Sequence, residues 1–244
     1  FSFGVNGGET VSQPSIAYND VNGDGFVDGV LTADDSGMKV ALNPIHRTNL
    51  LKKVTRPLGA SFDLEYARSG NTYDQPQSRL VLSRTSVFDG VPGNGPDTQV
   101  TTYKYEGGFY NRFERDFYGY RKVTEEQRNT AANDVLYRSI AREFLNDSFY
   151  TKGLLKREVT LNAAGQPFIE TENTYLLRDV HTGTAPANAA STEDTLFPQL
   201  VRADKRFYEP ETSVGLSKST YTTHEYDALG NVIRFVDAGE PDTT

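Results

Sequence analysis

RLVLSRTSVFDGVPGNGPDTQVTTYKYE, residues Arg79 to Glu106, decides the fold class. Its two ends, Arg79–Phe88 and Thr98–Glu106, are rich in β-branched and aromatic residues, which pack well on the pleated surface of a sheet. The segment between them, DGVPGNGPD, concentrates the Pro, Gly, Asn and Asp residues that turns require. The pattern therefore predicts a β-hairpin, which is a pair of antiparallel strands closed by a loop.

The same pattern recurs on both sides of this hairpin. In SFDLEY (61–66) apolar and polar residues alternate with the period of two that is typical of a half-buried strand. GLLKREVTLNAAGQPFIETENTY (153–175) again has a small-residue turn between two strands, and GNVIRFVD (230–237) contains a further short strand. We therefore predict an all-β fold of antiparallel strands and hairpins.

Two segments are harder to assign. Asp134–Leu145 fits an amphipathic helix through Val135, Ile140 and Phe144, and it also fits a strand. We favour a strand, because the surrounding pattern is β. Asp179–Pro198 is small, polar and aperiodic, which predicts a long loop or linker.

Composition excludes several classes of protein. The 244 residues carry a net charge of −8, whereas a nucleic-acid-binding protein would be expected to present a basic face. The chain has no cysteine, which rules out disulfide scaffolds, thiol catalysis and cysteine-based zinc sites. No apolar run approaches the roughly 20 residues needed to span a bilayer. The first residues lack an initiator Met and a signal-peptide pattern, so we expect a piece of a longer chain.

YNDVNGDGFVD (18–28) has the composition of a calcium-binding loop. Calcium prefers six to eight oxygen ligands, and alternating acidic or amide side chains followed by a glycine provide them in a short loop. The EF-hand pattern also needs a glutamate where this chain has Leu31, so we predict a strand-flanked calcium loop. The alternative is a metal-free turn whose side chains accept hydrogen bonds from backbone amides. The predicted ligands are Asp20, Asn22, Asp24, Asp28 and the carbonyl of Phe26.

No catalytic motif stands out. The three histidines, His46, His181 and His224, lie in different sequence regions. The acidic pairs Asp34-Asp35 and Glu125-Glu126 are typical of solvated turns and strand ends. We predict no catalytic residues in this chain.

Several segments resemble known families. AYNDVNGDGFVDGVL (17–31) with GMKVALNP (37–44) resembles an FG-GAP or VCBS repeat, one blade of a β-propeller. NLLKKVTRPLGASFDLEY (49–66) and TTYKYEGGFYNRFERDFYGYRKV (101–123) are similar to the B component of insecticidal toxin complexes and to SpvB-like virulence proteins. YTTHEYDALGNVIRFVDAGEP (221–241) resembles an Rhs/YD repeat, and GLLKREVTLNAAGQPF (153–168) resembles a degenerate copy. The YD-motif residues are Tyr226, Asp227, Gly230 and Asn231.

These resemblances imply a four-part organisation. Residues 1–46 would form the propeller-like calcium repeat, 47–178 a middle β region, 179–215 a linker with a short strand, and 216–244 a YD repeat. The implied role is a non-catalytic part of a β-shell that encloses a toxic polypeptide, in a secreted or bacterial surface protein. The implied partners are the rest of the same polypeptide, a toxin cargo and a translocation-channel component, with calcium as a structural ion.

Two other functions stay open. One is a calcium-dependent surface adhesion or carbohydrate-binding module, and the other is an enzyme fragment. Two aromatic rows bear on the first, since they could form core packing or contact a cargo or a sugar. The rows are Tyr103, Tyr105, Phe109 and Tyr110, and Phe113, Phe117, Tyr118 and Tyr120.

Overall fold

Fourteen strands and one 3₁₀ turn make up the described part of the chain. The computed structural model describes residues 16–34, 37–45, 49–93, 96–188, 195–209 and 216–240. The strands are β1 (Ile16–Asn19), β2 (Asp28–Asp34), β3 (Gly37–Ala41), β4 (Lys53–Thr55), β5 (Ser61–Ser69), β6 (Arg79–Phe88), β7 (Thr98–Asn111), β8 (Asp116–Asn129), β9 (Val135–Leu145), β10 (Leu154–Asn162), β11 (Pro167–Asp179), β12 (Leu196–Tyr208), β13 (Leu216–Tyr226) and β14 (Val232–Asp237). The 3₁₀ turn is Thr130–Ala132. The predicted all-β class is confirmed.

Two sheets contain all the described strands. A three-stranded sheet has the order β1-β2-β3, and an eleven-stranded sheet runs from β4 to β14 in strict chain order. Every pairing is antiparallel, so each strand of the large sheet pairs only with its neighbours in sequence. The large sheet is therefore a continuous meander that crosses the predicted boundaries at 178/179 and 215/216, while the division into domains stays a prediction.

The sequence located most strands correctly. The hairpin predicted at 79–106 is β6 and β7, although β7 continues to Asn111. The ambiguous segment is strand β9, which confirms the strand assignment. Both of its faces carry charged residues that pair with neighbouring strands, which explains why a simple apolar alternation is hard to see.

The predicted loop at Asp179–Pro198 is too long. β11 continues to Asp179, and β12 begins at Leu196, which is buried. Only a short strand was predicted within residues 179–215. The strand β12 has 13 residues and pairs with β11 on one side and β13 on the other. The prediction failed because Leu196 and Phe197 alone are too few apolar residues to reveal a strand after a polar loop. Residues 189–194 lie outside the described part.

Buried side chains in the middle of the large sheet share one face. Glu126 pairs with Ser139, Ala141 pairs with Val159, and Val159 pairs with Glu170. Residues paired directly across a sheet project to the same side, as do residues two apart in one strand. All five are buried, so we call this side the buried face.

Candidate functional site

The Asp-rich loop between β1 and β2 is closed by its own side chains. The Asp20 carboxylate accepts hydrogen bonds from the backbone N–H groups of Asp24 (2.8 Å) and Gly25 (2.7 Å). The Asn22 side-chain oxygen accepts from the same Asp24 N–H (3.0 Å). Asp24 in turn accepts from the N–H of Phe26 (2.9 Å). These contacts satisfy successive backbone amides and fix the turn.

Asp28 ties the loop to the chain that follows β3. Its side chain is fully buried, and its two oxygens accept from the N–H groups of Val21 (2.9 Å) and Asn43 (2.8 Å). A buried carboxylate is stable only when its oxygens are hydrogen-bonded, and here both are. Asp28 therefore joins the start of the loop to the end of the three-stranded sheet.

The loop supplies the kind of oxygen ligands that calcium binds, but their arrangement differs from that of a calcium site. Carboxylate and amide oxygens are the ligands calcium prefers. In the described residues, however, no three His, Asp or Glu side chains converge in a way that could hold a metal ion. The oxygens of Asp20, Asn22, Asp24 and Asp28 face backbone N–H groups instead. An ion would have to share these oxygens with the amides or rotate them away.

The loop sits on the large sheet. A side-chain carbon at Gly23 would lie 2.1 Å from the side-chain nitrogen of Asn71, which lies in the loop after β5. The guanidinium of Arg68 stacks 5.2 Å from the ring centre of Phe26. Only glycine permits the close approach at position 23, whose φ of +72° also lies in the left-handed region. The Asp-rich loop is thus a contact between the two sheets.

Three of the four predicted YD residues, Asp227, Gly230 and Asn231, form the turn between β13 and β14. One Asp227 oxygen accepts from the N–H groups of Leu229 and Asn231 (both 2.8 Å), and the Asn231 amide donates to the other oxygen (2.9 Å). These hydrogen bonds hold the pKa of Asp227 below its ordinary value, and the bond from the Asn231 side chain has the largest effect. Gly230 has a φ of +86°. Tyr226 lies outside this turn and donates to the carbonyl of Leu200 in β12 (3.0 Å).

The turn between β10 and β11 repeats this geometry. The Asn162 oxygen accepts from the N–H groups of Ala164 (3.0 Å) and Gln166 (2.9 Å), as Asp227 does at the matching positions. Gly165 has a φ of +81°, and a register shift follows Thr160 just as one follows Glu225 in the other hairpin. The segment expected to be a degenerate YD copy therefore has the same turn, with asparagine in place of aspartate.

An Asn or Asp at the end of a strand opens most of the described turns of the large sheet. In each case a side-chain oxygen accepts a hydrogen bond from the N–H two residues later. This rule was not predicted from the sequence, although an Asn or Asp directly after a strand pattern is a recognised turn signal. The residues are Asp89, Asn111, Asn129, Asn162, Asp179 and Asp227.

Ion pairs link neighbouring strands on the buried face. Glu170 of β11 accepts from Arg157 of β10 (2.7 Å), from Arg206 of β12 (3.3 Å) and from the Tyr208 hydroxyl (2.7 Å). Burial alone would raise the pKa of Glu170, and the bonds from Arg157 and Tyr208 outweigh it and lower that pKa. One carboxylate thus connects three adjacent strands.

A second cluster lies around Glu126 in β8. Its carboxylate accepts from Lys104 in β7 and from Arg128, and from the Thr102 hydroxyl (3.4 Å). Burial would raise the pKa of Glu126, but the Lys104 hydrogen bond and the Arg128 charge lower it. Glu126 and its hydrogen-bond partners therefore hold neighbouring strands together, which is a structural role.

The two aromatic rows pack against each other. Tyr105 lies 4.9 Å from Tyr120 between ring centres, and Phe109 lies 5.6 Å from Tyr118. The pKa of Tyr118 is raised to about 12, mainly by burial and secondly by the hydrogen bond that its hydroxyl donates to Glu114. Tyr118 is buried and the other three rings are half-buried, so these four residues pack against one another in pairs. Phe113 is the exception, because its side chain lies in the turn after β7 and is 99% exposed.

Two of the three histidines lie in the described part and in separate places. His224 is in β13 beside Phe235, with ring centres 5.1 Å apart. His181 lies in the turn after β11, and His46 lies outside the described residues. No helix among the described residues is long and apolar enough to cross a membrane.

One family model and several solved structures match the chain. The family model is described as the insecticide toxin TcdB middle/N-terminal region, and it matches residues 4–157. No curated protein sequence matches. A crystal structure of TcdB2-TccC3-TEV has a TM-score of 0.65 at 14% identity and covers 91% of this chain and 14% of its own.

Two further structures agree with it. A crystal structure of TcdB2-TccC3 without the hypervariable C-terminal region has a TM-score of 0.64 at 16% identity, covering 91% of this chain and 14% of that one. A structure of a Photorhabdus luminescens Tc holotoxin pore has a TM-score of 0.65 at 15% identity, covering 94% and 14%. The chain therefore has the fold of a segment that makes up 14% of those longer chains.

Proposed function

Because the chain belongs to the insecticide toxin TcdB middle/N-terminal region family, we propose that it forms part of a β-shell that encloses and delivers a toxic polypeptide. The predicted relationship to toxin-complex B-type proteins is confirmed by the family and by the fold. The observation that carries the proposal is the eleven-stranded meander in chain order. Such a sheet grows by adding one hairpin after another, which suits a wall.

We assign this region no catalysis. This assignment is supported by the ion pairs of the large sheet, in which Glu126 and Glu170 bind basic partners. The partners we propose are other parts of the same polypeptide, a toxin component as cargo and a translocation channel. The structural matches, which are TcdB2-TccC3 complexes and a Tc holotoxin pore, support this assignment by analogy. The same analogy leads us to propose a secreted protein.

Protection of the cargo tests the wall. The complete protein is produced with its toxin component, and limited proteolysis then measures how fast that component is digested. We expect wild type to protect it, and Val159→Pro to abolish protection, because proline removes a ladder hydrogen bond in the middle of the sheet. Ala163→Pro is the matched control, since the position after a turn-opening Asn accepts proline. Equal digestion in wild type and Val159→Pro would show that the region is not a wall.

We also propose that calcium binds the Asp-rich loop as a structural ion. Asp20, Asn22, Asp24 and Asp28, with the carbonyl of Phe26, would supply the oxygens. Bound calcium stabilises whichever state binds it, so the melting temperature should rise with calcium and fall again with EDTA. Asp24→Ala should lose this response, whereas Asp63→Ala in β5 should keep it. If calcium does not change the melting temperature, the loop is a metal-free turn.

The adhesion or carbohydrate-binding alternative has its own discriminating test. The fully exposed ring of Phe113 is the observation that favours it. A glycan array probed with and without calcium measures the predicted activity directly. Clear calcium-dependent binding that is lost in Phe113→Ser would favour an adhesion module over a wall.

A further inference from the structure

Two β-bulges bring aromatic side chains to one groove on the large sheet. Tyr137 of β9 and Phe168 of β11 are each the extra residue at a register shift, so neither has a direct partner across the β8–β9 or the β10–β11 pairing. Consecutive residues of a regular strand project to opposite faces, and a bulge re-aims one of them. As a result Tyr137 lines the same groove as Arg138, and Phe168 lines it together with Ile169.

The groove has the size of a small-molecule site. Its volume is about 650 Å³, and its lining is mostly apolar and open to solvent. Tyr137 is 61% exposed, Phe168 38% and Ile169 40%. Three partly exposed apolar side chains offer far less than the roughly 800 Å² that each partner contributes to a standard protein interface. A small ligand therefore fits the groove better than a protein does.

Arg138 is the cation of this groove, and its neighbours across the strands are amides. Gln127 of β8 and Asn162 of β10 lie directly opposite it. The Arg138 Nε donates a hydrogen bond to the side-chain oxygen of Gln127 (2.6 Å). Within the described part of the chain, its two terminal nitrogens have no carboxylate partner.

Other arginines in the middle of the large sheet are neutralised. Arg142, Arg157 and Arg206 each form ion pairs with two carboxylates. Arg138 differs from them, because its guanidinium is left exposed beside two aromatic rings. The parallel N–H groups of a guanidinium match the two oxygens of a carboxylate. The groove therefore combines an apolar floor with one unused site for a carboxylate.

These features together fit a sugar acid. One face of a pyranose ring consists of C–H groups that pack on aromatic rings, while its hydroxyls need polar partners. The hydroxyls of Tyr137 and Thr160 line the groove and have no hydrogen-bond partner among the described residues. We propose that the groove binds a hexuronic acid, free or at the end of a glycan, with its carboxylate on Arg138. This inference goes beyond the proposed function, because a wall needs no ligand.

The position of the groove makes binding independent of calcium. Ala163 and Ala164 of the turn after β10 belong to its lining. The Asp-rich loop instead contacts the loop after β5, through Gly23 against Asn71. Because the strands alternate in direction, the turns after β5 and β10 lie at opposite edges of the meander. EDTA should therefore leave sugar binding unchanged, which separates this site from a calcium-dependent adhesion module.

Saturation-transfer NMR titrations on the complete protein test the inference. The probe is methyl β-D-glucuronide, and the reference ligand is methyl β-D-glucoside, which lacks the carboxylate. We expect the glucuronide to bind at least about tenfold more tightly, because a hydrogen bond between charged groups contributes about that much. Arg138→Gln should remove this preference, and Tyr137→Ser should weaken both ligands. The matched control is Arg121→Gln, which removes an exposed arginine elsewhere on the sheet and should keep the preference.

A further arm distinguishes the two sources of the sugar acid. A disaccharide with a terminal glucuronate that binds at least as tightly as the monosaccharide supports the end of a glycan, and weaker binding supports the free acid.

Four outcomes would overturn the inference. They are equal affinity for glucuronide and glucoside in wild type, unchanged binding in Arg138→Gln, displacement of the glucuronide by an equal concentration of acetate, and loss of binding in EDTA. None of them bears on cargo protection. A protein that protects its toxin component without binding the glucuronide would reject the sugar site while leaving the wall intact.

Discussion

Single Asn and Asp side chains determine where the meander turns. Asn162 holds the β10–β11 turn through two backbone N–H groups, so Asn162→Ala should cost about 1–2 kcal/mol of unfolding free energy. Asn162→Asp should restore most of that loss, because Asp227 makes the same bonds at the matching turn. Urea unfolding of the three proteins measures the difference. If alanine and aspartate were equally destabilising, the side-chain oxygen would not be what holds this turn.

The Asp-rich loop shows what can be predicted at the scale of a residue. The sequence correctly indicates that Asp20, Asn22 and Asp24 close a loop between two strands. It does not distinguish calcium from backbone amides as the partner, because both use the same oxygens. Burial of Asp28 was not predictable either, since its contact with the N–H of Asn43 depends on the position of the chain after β3.

Ion pairs between strands stabilise the large sheet at the scale of elements, and they should make its stability depend on pH. The pKa of Glu170 is lowered in the folded state, so its contribution is fully present above the unfolded carboxyl pKa of about 4.3. That contribution is lost as the pH falls through the lower, folded value. The urea midpoint should therefore drop steeply below about pH 4.3 in wild type.

Glu170→Gln provides the comparison. Glutamine keeps the shape and removes the charge, so the variant should be less stable at neutral pH and should lose less stability on acidification. Identical acid profiles for wild type and Glu170→Gln would mean that the cluster around Arg157 and Arg206 does not contribute through charge.

Strands were predictable where their composition is distinctive, and hidden where charges pair across the sheet. The β6–β7 hairpin was found because its loop concentrates Pro and Gly. β12 was missed at its start because its strand character depends on pairing with β11 and β13, which no local pattern reports. Strand order in the large sheet was not predicted, although the short turns between most strands are consistent with a meander.

The molecule as a whole is a sheet in which each strand contacts only its neighbours in sequence, so its stability should vary from the centre to the edges. Interior strands such as β9 are paired on both sides, whereas in the described part of the chain β14 pairs with β13 alone. β14 also leaves Val232, Ile233 and Phe235 half exposed or more. Arrays with nearest-neighbour contacts open first at their ends.

Hydrogen exchange followed by mass spectrometry should therefore resolve a gradient in this chain. We expect the amides of the two edge strands, β4 and β14, to exchange fastest, those of β13 more slowly, and those of β8 to β10 slowest of all. If the chain is part of a wall, the complete protein should slow exchange in β14 to the level of β13, because another strand would pair with its free edge. Uniform protection across the isolated sheet would contradict the nearest-neighbour description. An unprotected β14 in the complete protein would mean that the wall does not continue from this edge.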